Sequence, residues 1–218
     1  MKPMFSTGLA SLFVQVLTLL VDSYVLTVPV PSSFFLVKQL LWVEYVVNFI
    51  EGIFYVWMIL HFTRIKNVTV SRYYDWFITT PIMLTTYSMY LLHMKGTTED
   101  LFSLLEQNKH ILLPIILLNW CMLGFGYLSE IGKMNARIST PLGFIPFILM
   151  FYLIYENYAK YTSLGIKTFY YFILVWGLYG VAAVMNYTTK NVMYNILDLF
   201  SKNFFALLLA YVVIENRL

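Results

Sequence analysis

Long apolar stretches recur along this chain, and short polar or proline-bearing breaks separate them. Each stretch has roughly 20 residues or more, the length that an α-helix needs to cross the hydrocarbon core of a bilayer. The expected fold class is therefore all-α: a bundle of seven transmembrane helices that occupies residues 1–218 as one domain. The predicted spans are Thr7 to Leu26, Phe34 to Phe62, Arg72 to Met94, Ile111 to Ser129, Thr140 to Tyr158, Thr168 to Asn186 and Asn191 to Ile214.

The breaks between the spans carry their own predictions. The connection TVPVPSS, Thr27 to Ser33, ends the first helix, because proline disfavours helical geometry in the residue before it. The longest break, Lys95 to His110, is expected to hold a short helix at the membrane interface. Asp22 lies near the end of the first span, where its side chain can reach water, so we expect a plain interfacial position for it.

The composition supports a membrane protein. Hydrophobic residues make up 60% of the 218 positions and charged residues only 11%, against about a quarter in soluble domains. The net charge of +3 is small and dispersed, which argues against nucleic acid as a partner. No metal-ligand cluster, nucleophile motif or phosphate loop is present, so we expect neither a metal site nor an enzyme. The prediction is a multi-pass integral membrane protein in a lipid bilayer.

A lysine lies in the middle of the seventh span. Lys202, in the stretch NILDLFSKN, would be buried at mid-membrane, where a charge costs about 2.5–3.5 kcal/mol on insertion scales. Such a residue marks a functional site unless it belongs to an accidental ion pair between helices. Asp198 precedes it by four residues, one helical turn away on the same face, and we expect the two to interact directly.

The third span contains a second charged motif, RYYDWFITTP. Arg72 and Asp75 are three residues apart on one helix face, a spacing that allows the guanidinium to pair with the carboxylate. Taken alone, this arrangement is also compatible with a structural role.

Polar residues form stripes on three other faces. On the second span, separations of three, four and seven put its polar residues on one face over about 10 Å of helix. Polar side chains at this depth face the bundle interior or a cavity. Two interpretations remain: hydrogen-bonded contacts between helices with protonated glutamates, and an ion pathway. The residues are Ser11 and Gln15 on the first span, Glu44, Asn48 and Glu51 on the second, and Asn195 on the seventh.

These motifs resemble those of the microbial (type 1) rhodopsins over all seven spans. The family pattern R-Y-x-D-W-x-x-T-T-P matches Arg72 to Pro81, and D-x-x-x-K matches Asp198 to Lys202. The resemblance implies an extracellular N-terminus, a cytoplasmic C-terminus and all-trans retinal covalently bound to Lys202 as a protonated Schiff base. It also implies that Asp75 and Asp198 are counterions and that they form a gate together with Arg72.

By the same resemblance, the retinal would lie between Trp76 and Trp176. Two departures from the family affect this pocket: Gly180 replaces a usual proline, and Gly143 falls where many relatives have a tryptophan. The remaining pocket residues implied by the resemblance are Thr80, Met122, Gly126 and Tyr179.

The transport class depends on the other polar residues. In outward proton pumps of this family, a carboxylate eleven residues after the proton acceptor returns a proton to the Schiff base. The acceptor position here is Asp75, so the donor position is Thr86, which cannot donate a proton at physiological pH. The polar stripes look most like those of the group 1 viral rhodopsins, which are associated with light-gated cation conduction. We therefore expect a light-gated channel for monovalent cations or protons in the membrane of an infected host cell. A light-driven outward proton pump and a photosensory rhodopsin stay as alternatives, and homo-oligomerisation stays open.

Overall fold

The structure is a computed structural model that describes residues 2–218. In it the chain folds into seven long helices. Six of them are long and apolar enough to cross a membrane, and the remaining one, the third, has 27 residues. No strand occurs among the described residues, and the predicted seven-helix, all-α fold is confirmed. The helices are α1 (Lys2–Val25), α2 (Phe35–Leu60), α3 (Val68–Met94), α4 (Leu101–Glu130), α5 (Ala136–Asn157), α6 (Ser163–Ala183) and α7 (Tyr187–Glu215).

Most helices begin several residues before the apolar spans that predict them. Each of five helices starts at a polar side chain that accepts a hydrogen bond from a backbone N–H of its first turn, which satisfies a donor that the helix leaves free. Asn67, for example, accepts from the N–H of Thr69 at 3.0 Å. These caps are local polar signals that a hydropathy pattern does not register, and the capping residues are Asn67, Asp100, Asn135, Thr162 and Asn186.

The expected separate helix between Lys95 and His110 is wrong. Residues 101–110 are the first turns of α4, which runs without interruption from Leu101 to Glu130. Asp100 caps this helix by accepting hydrogen bonds from the N–H groups of Phe102 and Ser103, at 2.9 and 3.3 Å. Because the cap Asp100 lies eleven residues before the start of the predicted span at Ile111, the helix extends well beyond that span.

The helices close into a ring in which each one packs against its sequence neighbours and α7 returns to α1. Large apolar side chains cover the outside, with Phe13, Leu20 and Leu60 more than 60% exposed. The interior of the α1, α2, α3 and α7 side is polar instead. This distribution, apolar outside and partly polar inside, is the one expected for a bundle in a bilayer.

The two chain ends lie at opposite ends of the bundle. Met4, near the start of α1, accepts a hydrogen bond from Asn195 in the first half of α7, and the N–H of Leu218 donates to the carbonyl of Pro29, just after α1. We call these the amino end and the carboxy end of the bundle. The functional side chains described below are distributed along the axis between them.

One turn of α7 is a π-helix, Leu199–Asn203, which contains Lys202. In this turn the backbone N–H of Phe204 donates to the carbonyl of Leu199, five residues earlier. The hydroxyl of Tyr171 on α6 donates to the carbonyl of Phe200 at 2.7 Å. The π turn inserts one extra residue between the two halves of α7 and so changes which neighbours each half faces.

A candidate retinal site and polar pathway

Lys202 is fully buried and lies between two carboxylates of other helices. Its Nζ atom is 2.8 Å from Oδ2 of Asp75 on α3 and 3.2 Å from Oε1 of Glu51 on α2. All three side chains are almost completely inaccessible to solvent. Burying a cation is costly unless an anion pairs with it, and here Asp75 and Glu51 both pair with Lys202.

Arg72 pairs with Asp198 on the amino-end side of Lys202. Its Nη1 lies 3.1 Å from Oδ2 of Asp198, and it also donates to Asn195. Asp198 accepts further hydrogen bonds from Tyr55 and Tyr179, both at 2.7 Å. The guanidinium and the carboxylate are therefore locked into one network that joins α2, α3, α6 and α7.

Two predicted pairings are wrong. Asp198 does not pair with Lys202, and Arg72 does not pair with Asp75; within the described residues, 2–218, each charge finds its partner on another helix. Lys202 lies within the π turn, which begins directly after Asp198, so their separation of four residues no longer aligns them as it would in a regular α-helix. The result is two separate charge clusters, one of Lys202 with Asp75 and Glu51 and the other of Arg72 with Asp198.

A cavity of about 110 Å³ opens beside Lys202. All the residues that the resemblance assigned to the retinal pocket line it. Two aromatic side chains form walls: the ring centroid of Trp76 is 5.5 Å from that of Tyr179. The predicted lining residues are Trp76, Thr80, Met122, Gly126, Trp176 and Tyr179.

The cavity fits a long apolar group attached to Lys202. A Cβ atom at Gly126 would collide with the hydroxyl of Tyr73, so the chain approaches closely only because this residue is glycine. Gly143 also lines the cavity and adds no side chain to its wall. The indole Nε1 of Trp176 is buried and has no hydrogen-bond partner among residues 2–218. An apolar, largely preformed pocket with one reactive amine is suited to hold a covalently bound chromophore.

The predicted polar stripes meet in the interior between α1, α2 and α7. Gln15 donates to the backbone carbonyl and the side-chain oxygen of Asn48, at 2.6 and 2.8 Å. Ser11 donates to the backbone carbonyl of Asn195 at 2.8 Å. None of these side chains is more than 2% exposed, and the same holds for Glu44 and Glu51.

Thr86 contacts Glu44 directly. The hydroxyl of Thr86 donates to Oε1 of Glu44, and the second carboxyl oxygen of Glu44 has no hydrogen-bond partner in the described part of the chain. The position that carries the donor acid in pumps therefore touches an acid on the neighbouring helix. Sequence reasoning treated Thr86 and Glu44 separately because they are 42 residues apart in the chain.

The interfacial position expected for Asp22 is wrong. Asp22 has no solvent-exposed surface, and it continues the buried face of α1 formed by Ser11, Gln15 and Thr18. Helical spacing predicts this continuation, because separations of three and four keep residues on one face. Nearness to a helix end was therefore a poorer guide than the face of the helix.

Two site residues were missed from the sequence. Tyr55 follows Glu51 by four residues and so extends the polar face of α2. Asn203, next to Lys202, donates to Gln15 at 2.8 Å and to Thr18 at 3.1 Å. The signal for Tyr55 was the helical spacing, whereas Asn203 lies in the π turn, which the sequence spacing does not reveal.

A bundle of seven membrane-spanning helices with a buried lysine, paired acids and an apolar pocket beside it defines the class of retinal-type membrane photoproteins. The comparison with known families agrees: the family described as "Bacteriorhodopsin-like protein" matches residues 1–216. The chain therefore belongs to the bacteriorhodopsin-like, or microbial rhodopsin, family. Members of this family bind a retinal chromophore, are light-driven transporters or light sensors, and are generally not enzymes.

Individual relatives support the same assignment. The chain is 26% identical over 168 residues to the green-light absorbing proteorhodopsin of Gamma-proteobacterium EBAC31A08, and the match covers 68% of the chain and 62% of that protein. The crystal structure of the viral rhodopsin OLPVRII matches with a TM-score of 0.84 and 26% identity, covering 97% of this chain and 98% of the other. Blue light-absorbing proteorhodopsin from Med12 matches with a TM-score of 0.77 at 16% identity, covering 97% of each chain, and this likeness concerns the fold.

Proposed function

We propose that the chain is a light-gated cation channel, formed as a single retinal-binding domain with all-trans retinal joined covalently to Nζ of Lys202. The retinal supplies light absorption and the isomerisation that follows it. The proposed orientation has the amino end extracellular and the carboxy end cytoplasmic. The 26% identity to a viral rhodopsin supports the membrane of an infected host cell as the location.

The observation that carries this proposal is the position of Glu51. Its carboxylate lies 3.2 Å from Nζ of Lys202, and it also belongs to the polar face of α2 with Glu44 and Asn48. One residue thus connects the chromophore site to the polar stripe. Any change in the charge or position of Lys202 alters the electrostatic potential at Glu51 directly.

The residues have distinct roles in this proposal. Asp75 and Glu51 hold the positive charge at Lys202 and orient the proton on Nζ. Arg72 and Asp198 close the pathway at the amino end, where Tyr55 and Asn195 complete their hydrogen bonds. Buried carboxylates along the stripe make it electronegative, which favours monovalent cations or protons over anions.

The discriminating experiment is photocurrent under voltage clamp in cells supplied with retinal, with steps of the holding voltage and exchange of the external cations. A current that reverses at a potential following the cation gradient is expected for the channel. A current that stays outward at every voltage contradicts the channel and indicates a pump. A photocycle without any current indicates a photosensory rhodopsin.

A specific contact favours the outward proton pump as the second candidate. Glu44 accepts a hydrogen bond from Thr86, so a carboxylic acid stands beside the position of the donor in pumps. In that case Glu44 would return a proton towards Lys202 from the carboxy end. The substitution Glu44→Gln would then slow recovery of the dark state strongly and make it dependent on added azide, whereas a channel would mainly lose conductance.

A further inference from the structure

The third helix contains a proline at its centre. Pro81 lies 13 residues after Val68 and 13 before Met94, the two ends of α3. Proline has no backbone N–H, so the carbonyl of Phe77, four residues earlier, lacks the donor that a regular α-helix would give it. The proline ring also crowds that carbonyl. The hydrogen bonding of α3 is therefore broken at the carbonyl of Phe77.

The broken position faces the outside of the bundle. The side chains of Phe77 and Ile78 are 53% and 52% exposed, on the surface that the hydrocarbon of a bilayer covers. No water at that depth satisfies a free carbonyl, and an unsatisfied backbone group in hydrocarbon is strongly unfavourable. Prolines are tolerated in membrane helices where a neighbouring helix satisfies the freed backbone group. The carbonyl of Phe77 therefore needs a donor from outside α3.

Trp120 of α4 supplies this donor. Its indole Nε1 donates to the carbonyl oxygen of Phe77 at 3.0 Å. The two aromatic rings also stack, with their centroids 5.0 Å apart and their planes at 13° to each other. An indole N–H away from water needs an acceptor as well. One contact thus satisfies two polar groups that lipid cannot satisfy.

The depth of Trp120 in the membrane is unusual for a lipid-facing tryptophan. Such residues are enriched at the two membrane interfaces, where the indole N–H lies at the level of the headgroups. Trp120 is 37% exposed and lies in the middle of the apolar run from Ile111 to Ser129. The hydrogen bond to Phe77, rather than an interfacial position, accounts for a tryptophan at this depth.

The break separates two parts of α3 that have different contacts. Asp75 and Trp76, on the amino-end side, belong to the Lys202 site, whereas Thr86, on the carboxy-end side, donates to Glu44. A proline inside a helix permits a kink, so the orientation of one half relative to the other depends on the bonds made at the break. Trp120 holds α3 at this point.

We propose that Trp120 is a positioning residue of the light-driven cycle, because its indole N–H replaces the backbone donor that Pro81 lacks and so holds the two halves of α3 in their dark-state orientation. Light displaces the half that contacts the chromophore, and the hydrogen bond to Phe77 favours its return. Without this bond, recovery of the dark state is slower. The inference rests on the proposed attachment of retinal to Lys202, and it extends the proposed function to a residue outside the cavity.

The first test requires neither retinal nor light. The thermal midpoint of the full-length apoprotein in lipid nanodiscs is measured by circular dichroism for a double-mutant cycle of Trp120→Phe and Pro81→Ala. Trp120→Phe keeps an aromatic ring for stacking but removes the donor, and Pro81→Ala restores a backbone N–H for the carbonyl of Phe77. We expect Trp120→Phe to lower the midpoint by several degrees beside Pro81, and by less than half as much in the Pro81→Ala background.

The same cycle covers a variant that does not fold. If Trp120→Phe alone gives no folded apoprotein, the double variant Trp120→Phe/Pro81→Ala should fold, and a failure of this rescue overturns the proposal. Equal losses in the two backgrounds also overturn it, because the indole would then contribute only the packing of its ring.

The second test measures recovery of the dark state in the retinal-loaded protein by flash photolysis, which needs no ion current. Recovery should slow roughly twofold to tenfold in Trp120→Phe, the factor that corresponds to one net hydrogen bond. In the Pro81→Ala background, the same substitution should change recovery by less than about twofold. Trp42→Phe is the matched control: it removes an indole from another lipid-facing position, 59% exposed on α2, and should leave recovery unchanged.

The outcomes separate the role of Trp120 from the proposed channel. Coupling between Trp120 and Pro81 in the apoprotein, together with unchanged recovery, would make the contact purely structural and overturn the positioning role. If coupling and slower recovery are found but the unsubstituted protein gives no reversing photocurrent, the channel function fails and the role of Trp120 stands. If no retinal binds to Lys202, the positioning role fails with that attachment, and the apoprotein cycle still tests the hydrogen bond.

Discussion

Oδ2 of Asp75 lies 2.8 Å from Nζ of Lys202, whereas Asp198, four residues before Lys202 in the same helix, pairs with Arg72. The charge at the chromophore site is therefore balanced from α3 and α2 rather than along α7. Removing Asp75 leaves Glu51 as a second acid within 3.2 Å of Nζ. Because two acids balance the charge of Lys202, single and double substitutions of these acids are expected to have different effects.

Lys202→Ala should abolish the visible absorption band, because the substitution removes the amine that we propose binds retinal. The measurement is the absorption spectrum of the purified protein after addition of all-trans retinal. Lys190→Ala is the matched control: Lys190 is also buried in an ion pair, with Glu130 at 2.5 Å, but it does not line the cavity. A normally coloured Lys202→Ala protein would show that the attachment site is elsewhere.

Asp75→Asn should shift the visible band to longer wavelength, because a negative charge that stabilises the cationic ground state is removed. The band should persist, since Glu51 still balances the charge. The double variant Asp75→Asn/Glu51→Gln should lose most of the visible band near neutral pH. Both outcomes are read from absorption spectra at fixed pH, and an unshifted band in Asp75→Asn would mean that Asp75 is not the principal counterion.

Glu51→Gln should both shift the absorption band and reduce the photocurrent, because Glu51 belongs to the chromophore site and to the polar face of α2. Current density and reversal potential under cation exchange measure the second effect. Glu130→Gln removes a carboxylate outside this face and should leave the ion preference unchanged. Unaltered current and ion preference in Glu51→Gln would remove this residue from the pathway.

Tyr55→Phe should destabilise the amino-end network, because the Tyr55 hydroxyl donates to Asp198 at 2.7 Å. Hydrogen bonds to charged groups contribute roughly 1.5–3 kcal/mol, so the thermal midpoint of retinal bleaching should fall by several degrees. Tyr158→Phe is the control, since the buried hydroxyl of Tyr158 has no hydrogen-bond partner in the described chain. Equal midpoints for the two variants would contradict the importance of the Tyr55 contact.

Asp100→Ala should lower the thermal midpoint above about pH 4, whereas Asp100→Asn should lower it little. Hydrogen bonds from the side chain and backbone N–H of Ser103 lower the pKa of Asp100 below its usual value, so the folded state favours the charged form. The contribution of Asp100 is therefore present above the unfolded-state pKa and is lost as the pH falls through the lowered folded-state pKa. Bleaching midpoints measured between pH 3 and 7 test this, and a pH-independent difference would contradict it.

The sequence predicted the helices more accurately than the side-chain contacts between them. Seven spans and the stripe from Ser11 to Gln15 follow from periodicity, which depends only on local spacing. The pairing of Arg72 with Asp198 does not follow from periodicity, because the two residues are 126 positions apart and lie on different helices. Asp22 was misjudged since depth was inferred from distance to a helix end, and α4 was shortened because the polar run Glu106 to His110 interrupts its apolar pattern.

The π turn at Leu199–Asn203 has a mechanical consequence. Because this turn rotates Lys202 away from Asp198, the lysine is attached electrostatically to α2 and α3, while the backbone of the same turn is held by Tyr171 of α6. A displacement that begins at Nζ is thus shared among four helices instead of being absorbed within one. A movement of the Lys202 side chain is therefore expected to shift α2, α3 and α6 relative to α7.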